Sequence, residues 1–232
     1  MPTEMISFLA QLARDPRAVG AIAPSGTPLA ERITATIPRS GQPLVVELGP
    51  GTGAFTRVIQ RRLAGQGRHL AVEVNSTFAD RLAREHPAVD VLQADAGALA
   101  GLLSERNLPP AEVIVSGLPW AVFSAQKQRE ILTAVVAALA DDGVFTTFAY
   151  QHARWSPPAR RLHRNLRELF EEVVVGGTVW ANLPPAVVYH CRRPIRQPAG
   201  SAGEERGGPG RHPGPVRPGT RSASRGPEPS RP

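Results

Sequence analysis

The fold is decided by one stretch, Leu44-Val45-Val46-Glu47-Leu48-Gly49-Pro50-Gly51-Thr52-Gly53. An apolar run ends here in an acid and three alternating glycines. Apolar residues then recur at helical spacing, at Phe55, Val58, Ile59 and Leu63. This order predicts a buried strand, a tight turn and the start of a helix. Glycines allow the backbone of such a turn to approach a ligand closely, because they carry no Cβ atom.

Downstream of this stretch, strand-like runs alternate with helical patterns. The predicted strands are 44–48, 69–74, 89–93, 112–116 and 143–149, and the predicted helices between them are 54–64, 77–85, 97–105 and 125–140. A further helix at 158–170 and strands at 171–175 and 186–191 predict a C-terminal β-hairpin. Alternating strands and helices favour an α/β fold with right-handed crossovers. We therefore predict a doubly wound, Rossmann-like sheet of about seven strands.

The chain divides into three predicted parts. Residues 1–42 hold an amphipathic helix at 3–14 and a second helix that starts at Thr27-Pro28, and we interpret this part as a lid or substrate segment. Residues 43–193 form the predicted cofactor-binding domain. In residues 194–232 proline and glycine dominate and apolar residues nearly vanish. Because this tail buries too little surface to offset its conformational entropy, it is predicted to be disordered.

Composition excludes several classes of protein. The net charge is +7 over 232 residues, but the arginine-rich tail supplies much of it, so the charge is weak support for a nucleic-acid substrate. Cys191 is the single cysteine, which excludes an internal disulfide framework and argues against a cysteine-ligated metal site. We predict no metal. No apolar run has membrane-spanning length and the N-terminus shows no secretory cleavage site, so a cytoplasmic location is expected.

The glycine turn narrows the ligand to a nucleotide-type cofactor. Residues 49–54 match the dinucleotide fingerprint Gly-x-Gly-x-x-Gly/Ala, and Glu73 lies about the right distance further on. Glu47 argues against a dinucleotide, because a carboxylate two residues before the turn would repel a pyrophosphate. The same carboxylate suits a cationic ligand, such as the ammonium of a methionine moiety. We therefore predict S-adenosylmethionine, with its methionine end at Glu47, Gly49, Gly51 and Gly53.

Two acids follow the next strands, at the edge where open α/β sheets bind their ligands. Glu73 ends the second strand and would accept hydrogen bonds from both ribose hydroxyls; the alternative is an exposed strand-end acid. Asp95 follows the third strand and would hold the exocyclic amine of adenine. Asp95 also suits the N-cap of the following helix, and the two roles are compatible.

The acceptor site is predicted beside the loop after the fourth strand, Ser116-Gly117-Leu118-Pro119-Trp120. Ser116 and the loop carbonyls would accept hydrogen bonds from an amine, and Trp120 would pack on a methyl or a cationic head group. The alternative is an ordinary strand-to-helix turn with Trp120 in the core. Tyr150 ends the fifth strand and would hydrogen-bond near the amine, or else be a partly buried aromatic. The predicted catalytic residues are thus Ser116, Trp120 and Tyr150, and Ser116 is also a predicted cofactor-binding residue.

Together these motifs resemble the class I S-adenosylmethionine-dependent methyltransferases. The opening at 46–56 is similar to that of the ribosomal RNA adenine dimethyltransferases. Three other stretches, at 16–25, 115–119 and 179–186, look more like the bacterial phospholipid N-methyltransferases, which methylate phosphatidylethanolamine towards phosphatidylcholine. The resemblance covers residues 5–193, so only the tail lies outside it.

The resemblance to the lipid enzymes implies methyl transfer to the amine of a phospholipid, phosphatidylethanolamine or its methylated intermediates. It also implies that the helix at 3–14, with Arg14 and Arg17 at its end, contributes to contact with an anionic membrane at the inner face of the cell membrane. The alternative packs this helix over the cofactor site. Four arginines after the fifth strand would meet lipid phosphates or form a solvated helix face: Arg154, Arg160, Arg161 and Arg164.

Two other functions remain open at this point. The RNA enzymes carry Asn-Leu-Pro-Tyr/Phe after strand four, where the asparagine clamps the target amine. This chain has Ser116 and Gly117 before its Leu-Pro, and it offers no C-terminal helical domain for RNA, so methylation of ribosomal RNA adenine is the second candidate. The third is a non-catalytic membrane or protein interaction module that retains the cofactor fold. The sequence does not indicate an oligomeric state.

Overall fold

The structure, a computed structural model, describes residues 26–196. The predicted helix at 3–14, the stretch at 16–25 and all but the first three residues of the predicted tail lie outside the described residues. The division into parts at 42 and 193 stays a prediction.

Thirteen regular elements follow one another in the described part. The strands are β1 (Leu44–Leu48), β2 (Arg68–Glu73), β3 (Asp90–Gln93), β4 (Ala111–Ser116), β5 (Leu139–Tyr150), β6 (Phe170–Val175) and β7 (Ala186–Pro194). The helices are α1 (Thr27–Ile33), α2 (Ala54–Leu63), α3 (Ser76–Glu85), α4 (Leu99–Glu105), α5 (Ala125–Ala138) and α6 (Pro157–Leu169). Short 3₁₀ turns cover Ala96–Ala98, Trp120–Val122 and Gln151–Ala153.

All seven strands join one sheet in the order β3-β2-β1-β4-β5-β7-β6. Pairs among β1 to β5 are parallel, whereas β7 runs antiparallel to both of its neighbours. The predicted doubly wound, Rossmann-like fold and its C-terminal β-hairpin are therefore confirmed. The strand order reverses between β1 and β4, and this is the place where open α/β sheets form their ligand crevice.

The sheet is buried on both faces. One core lies against α4, α5 and α6 and includes Leu48, Ile114 and Phe145. The other lies against α1 and α2 and includes Val45 and Val115. Because the helices cover both faces, polar side chains that serve a ligand must gather at the ends of the strands.

Most element boundaries lie within one residue of the predicted ones, and the predicted strand at 186–191 continues to Pro194. Two further differences have a clear physical reason. The predicted helix at 97–105 is a 3₁₀ turn followed by α4, because Asp95 caps the turn and Leu99 only then begins α-helical backbone. The chain also leaves α5 at Ala138 and is already extended at Leu139, which is fully buried beside Ala111, so β5 starts four residues before the predicted strand.

Candidate cofactor and acceptor site

The turn after β1 has the backbone conformation that its glycines predict. Gly49, Gly51 and Gly53 have φ angles of 68°, 54° and 77°, in the left-handed region that L side chains rarely adopt. A Cβ at Gly49 would lie 2.8 Å from Leu118 Cδ2, whereas a Cβ at Gly51 would meet nothing within 4 Å. The turn is therefore packed on one side and open on the other, where a ligand would approach its backbone.

Glu73 ties the end of β2 to this turn. Its Oε2 accepts a hydrogen bond from the Gly51 N–H at 3.1 Å, and its Oε1 accepts one from the Asn75 N–H at 2.9 Å. The side chain is 6% exposed, and burial raises the pKa of Glu73 although both N–H donors lower it. A carboxylate has about four lone-pair positions, so two remain for the ribose hydroxyls that the sequence predicts as partners.

Glu47 is fully buried behind the turn. Its Oε2 accepts a hydrogen bond from Thr56 Oγ1 at 2.7 Å, and its Oε1 has no hydrogen-bond partner in the described part of the chain. Buried carboxylate oxygens without a donor are rare in folded proteins. This geometry makes Glu47 a support of the turn and of α2; its contact with a ligand ammonium stays a prediction.

His69 completes a buried polar cluster that the sequence analysis missed. Its Nε2 lies 3.2 Å from Glu47 Oε2, without the alignment of a hydrogen bond. Gln60 Nε2 lies 2.9 Å from His69 Nδ1, and since an amide nitrogen only donates, the imidazole proton belongs on Nε2, facing Glu47. The available signal was a histidine inside the apolar run of β2.

Asp95 is the N-cap of the 3₁₀ turn that precedes α4. Its Oδ1 accepts from the Gly97 N–H at 2.7 Å and from Lys127 Nζ at 2.8 Å. Lys127 also donates to Glu130 at 2.7 Å; partial burial lowers the pKa of Lys127, but these two acids raise it overall. The capping role is thus observed, and the role at adenine stays a prediction for the other carboxylate oxygen.

The loop after β4 lies directly against the glycine turn. The Gly117 N–H donates to the Leu48 carbonyl at 2.8 Å, and a Cβ at Gly117 would lie 2.7 Å from the Gly49 carbonyl oxygen. Ser116 is fully buried; its Oγ is 3.4 Å from the Leu118 nitrogen. The structure therefore brings Ser116 beside the cofactor turn, as expected, with its side chain turned away from solvent.

Trp120 belongs to the core. Its ring is 3% exposed and packs edge-to-face on Phe123 and Phe145, and its indole N–H donates to Thr147 Oγ1 at 2.7 Å. This placement corrects the prediction that the ring packs on an acceptor and agrees with the core alternative, because too little of the ring is exposed for a ligand to lie against. Trp120 instead anchors the loop that begins at Ser116.

Tyr150 lies at the end of β5, beyond the end of β4. The Thr147 hydroxyl lies 3.5 Å from the Ser116 carbonyl, so Tyr150 is three residues, or about 10 Å of strand, further out than Ser116. Tyr150 packs on Phe148, which packs on Phe55 in the first turn of α2. It is half-buried, and burial raises its pKa. Tyr150 therefore borders the crevice without contacting Ser116.

Comparison with known proteins places the chain. No family model matches it. It is 33% identical over 189 residues to the ornithine lipid N-methyltransferase of Singulisphaera acidiphila, which covers 80% of this chain and 94% of that protein. The chain belongs to the family of this N-methyltransferase. It is an S-adenosylmethionine-dependent methyltransferase.

Other similarities are narrower or more distant. The methyltransferase is 36% identical over 105 residues to a ribosomal RNA small subunit methyltransferase A from a Polaromonas species, covering 41% of this chain and 30% of that protein. An S-adenosylmethionine-dependent O-methyltransferase from Thermotoga maritima has a TM-score of 0.56 at 14% identity, covering 80% of this chain and 72% of its own. A TehB-like methyltransferase from Corynebacterium glutamicum has a TM-score of 0.53 at 14% identity, covering 82% and 99%. These structures share the fold of the methyltransferase.

The described residues fit S-adenosylmethionine. The open side of Gly51 leaves room for a ligand against the backbone, and the acid that faces this room, Glu73, retains free lone pairs for hydroxyl donors. When bound, the cofactor supplies an electrophilic methyl group on a sulfonium. Glu73 and the three glycines would hold it at the edge where the Ser116 loop also lies.

Proposed function

We propose that this methyltransferase transfers a methyl group to the amine of a membrane lipid head group, with phosphatidylethanolamine or its methylated intermediates as acceptor. The observation that carries the proposal is the extent of the similarity to the ornithine lipid N-methyltransferase, which runs over 94% of that protein. Phosphatidylethanolamine and an ornithine lipid both present an amine to the enzyme. The test therefore offers both lipids.

Methyl transfer is an in-line displacement, so the chain must mainly align the donor with the acceptor. The acceptor amine must be neutral, because an ammonium has no lone pair. In the loop after β4 the Leu118 and Pro119 carbonyls accept hydrogen bonds from Trp120 and Val122, while the Gly117 carbonyl accepts none within residues 26–196. We therefore assign to the Gly117 carbonyl the role of holding an N–H of the acceptor amine.

The proposal includes peripheral contact with an anionic membrane, at the cytoplasmic face of the cell membrane. Among the helices of residues 26–196, none has the length and apolar character to span a bilayer. A lipid acceptor in a bilayer then requires the crevice edge to reach the membrane surface.

Methylation of ribosomal RNA is the second candidate, favoured by the similarity to the small subunit methyltransferase A. That similarity covers only 30% of the RNA enzyme. In the RNA adenine dimethyltransferases the asparagine that clamps the acceptor directly precedes Leu-Pro, and this position is taken here by Gly117, which has no side chain to hold an amine. These two facts favour the lipid.

The test is transfer of labelled methyl groups into three acceptors in parallel. These are anionic vesicles that contain phosphatidylethanolamine, the same vesicles with an ornithine lipid instead, and ribosomal RNA. Label in phosphatidylethanolamine is expected. At limiting cofactor it should fall by about tenfold or more in Glu73→Gln but persist in the exposed control Glu85→Gln. Label in the ornithine lipid alone would mean that the acceptor is this lipid and not phosphatidylethanolamine. Label in RNA alone would overturn the proposal.

A further inference from the structure

Two loops leave the sheet at one point beside the crevice. Tyr150, the last residue of β5, pairs with Ala186, the first residue of β7. The segment after β5 and the segment before β7 therefore start side by side, and the Gln151 N–H joins them by donating to the Pro185 carbonyl at 2.8 Å. Both loops lie at the end of the sheet that carries the glycine turn, because β7 is antiparallel to β5.

These loops expose three large apolar side chains, which we name the apolar rim. Trp155 is 73% exposed, Trp180 is 73% exposed and Leu183 is 80% exposed. Large apolar groups exposed on adjoining loops are typical of interaction sites. Tryptophan in particular favours the boundary between water and hydrocarbon, since its ring is apolar and its N–H is polar.

The charges around the rim are of one sign. Residues 143–167 contain no acid, and α6 starts at Pro157, two residues after Trp155, with none in its first turn. The arginines of this segment are Arg154, Arg160, Arg161, Arg164 and Arg167. Arg154 lies 5.5 Å from the Trp155 ring centroid. Of the five, Arg164 alone forms an ion pair within the described residues, with Glu168. Arg154, beside the Trp155 ring, and the exposed Arg160, in the first turn of α6, are the ones near the rim that would meet anionic lipid head groups, at about 1 kcal/mol each near a membrane surface.

We propose that the apolar rim inserts into the head-group layer of an anionic bilayer and seats the crevice on the lipid surface. The inference rests on the proposed function, because membrane insertion serves the reaction only if the acceptor is a lipid that must reach the crevice from a bilayer. Its physical basis is separate: exposed tryptophans and a leucine for the interface, and unpaired arginines for the anionic lipids beside them. An apolar protein partner would not need these arginines.

The N-terminal segment is the competing occupant. The described chain starts beside the rim, where the Gly26 N–H donates to Asn182 Oδ1 at 2.8 Å. Residues 1–25 precede Gly26 in the sequence. If they or a second copy of the chain covered the rim, Trp155 and Trp180 would be shielded before any membrane is added, which a quenching experiment detects.

The experiment measures binding of the full chain to vesicles of phosphatidylethanolamine and phosphatidylglycerol by sedimentation and tryptophan fluorescence. Without vesicles, acrylamide should quench the fluorescence of Trp155 and Trp180. The single variants Trp155→Phe and Trp180→Phe show which part of the emission comes from each tryptophan. With vesicles, their emission should shift to shorter wavelength. The variant with Trp155→Ser, Trp180→Ser and Leu183→Ser should bind about tenfold more weakly or worse. Ile195→Ser is the matched control. Ile195 is also exposed, but it follows β7 and so lies at the other end of the strands, away from the glycine turn.

Calorimetry with S-adenosylmethionine checks that the triple variant is folded, and its affinity should equal that of the wild type. Methyl transfer to a dispersed short-chain lipid with the same head group should persist in this variant, while transfer to vesicles falls with binding. Unchanged vesicle binding by the triple variant, or tryptophans already shielded in free protein, would overturn the inference. Rim-dependent vesicle binding without label in any lipid would instead uphold the rim and remove the proposed function.

Discussion

At the scale of single residues, Glu73 decides whether the cofactor site is placed correctly. The change Glu73→Gln keeps the volume but removes the charge that accepts from Gly51 and faces the predicted ribose position. Affinity for S-adenosylmethionine should fall by about 1.5–3 kcal/mol, the worth of a hydrogen bond to a charged group. Calorimetry measures it, with the exposed Glu85→Gln as control. Equal affinity in both variants would remove Glu73 from the site.

The same residue makes cofactor binding depend on pH. Burial raises the pKa of Glu73 above its ordinary value of 4.5, so the folded protein takes up this proton at higher pH than the unfolded chain does. As pH falls through the raised pKa, the carboxylate loses an acceptor and affinity for the cofactor should fall. Stability moves the other way: the contribution of Glu73 is greatest below 4.5 and is lost as pH rises through the raised pKa. Both slopes should be absent in Glu73→Gln when calorimetry and urea unfolding are repeated across this window.

Thr56 tests the buried cluster behind the turn. Thr56→Val preserves shape but removes the hydroxyl that donates to the buried Glu47 carboxylate, leaving only the poorly aligned His69 Nε2 near its oxygens. The free energy of unfolding should fall by about 1–3 kcal/mol, measured by urea titration. Thr133→Val, an exposed threonine on α5, should change it by less than about 0.5 kcal/mol. A loss in Thr133→Val as large as in Thr56→Val would contradict the cluster's role.

At the scale of elements, the glycine turn separates cofactor binding from stability. Gly51→Ala forces an alanine into left-handed backbone, at about 1–2 kcal/mol of unfolding free energy. The added methyl group meets no protein atom, so it occupies the open side of the turn where the cofactor is predicted to lie. The loss of cofactor-binding free energy should therefore exceed the loss of unfolding free energy. Gly101→Ala in α4 also meets no atom but has helical backbone, and should stabilise the fold by about 0.5–1 kcal/mol with unchanged affinity. Unfolding and calorimetry on both variants make the comparison.

The helices and strands were predictable because each one depends on a pattern of neighbouring residues in the sequence. The strand from Leu44 to Leu48 is apolar except for Glu47, and the three glycines after it favour a tight turn. The cluster of Glu47, Thr56 and His69 was not predictable, because it joins two strands and a helix through side chains that no local pattern relates. Trp120 also combines a predictable and an unpredictable feature. The position of its loop after β4 follows from the local sequence, but the direction of its ring depends on a hydrogen bond to Thr147 in β5.

At the scale of the whole molecule, one hydrogen bond joins the first described residue to the loop before β7. Asn182 is buried, and its Oδ1 accepts from the Gly26 N–H while its Nδ2 donates to the Pro184 carbonyl at 2.6 Å. The bond to Gly26 spans 156 positions of sequence and joins the residue before α1 to the loop that carries Trp180 and Leu183. The stretch 179–186, which resembles the lipid enzymes, is therefore bonded to Gly26, the residue that follows the similar stretch 16–25 in the sequence.

Asn182→Ala should unpair both backbone groups and lower the free energy of unfolding by about 1–3 kcal/mol. The exchange rate of the Gly26 amide hydrogen should rise by more than that of amides within β1, because its protection comes from this one side chain. Gln42→Ala is the matched control, since Gln42 Oε1 accepts from the Gly67 N–H at 2.9 Å in an exposed position. An exposed bond of this kind is replaced by water, so its loss should cost less than about 0.5 kcal/mol. Equal effects of the two changes would mean that Asn182 does not hold the start of the fold to the loop at the crevice edge.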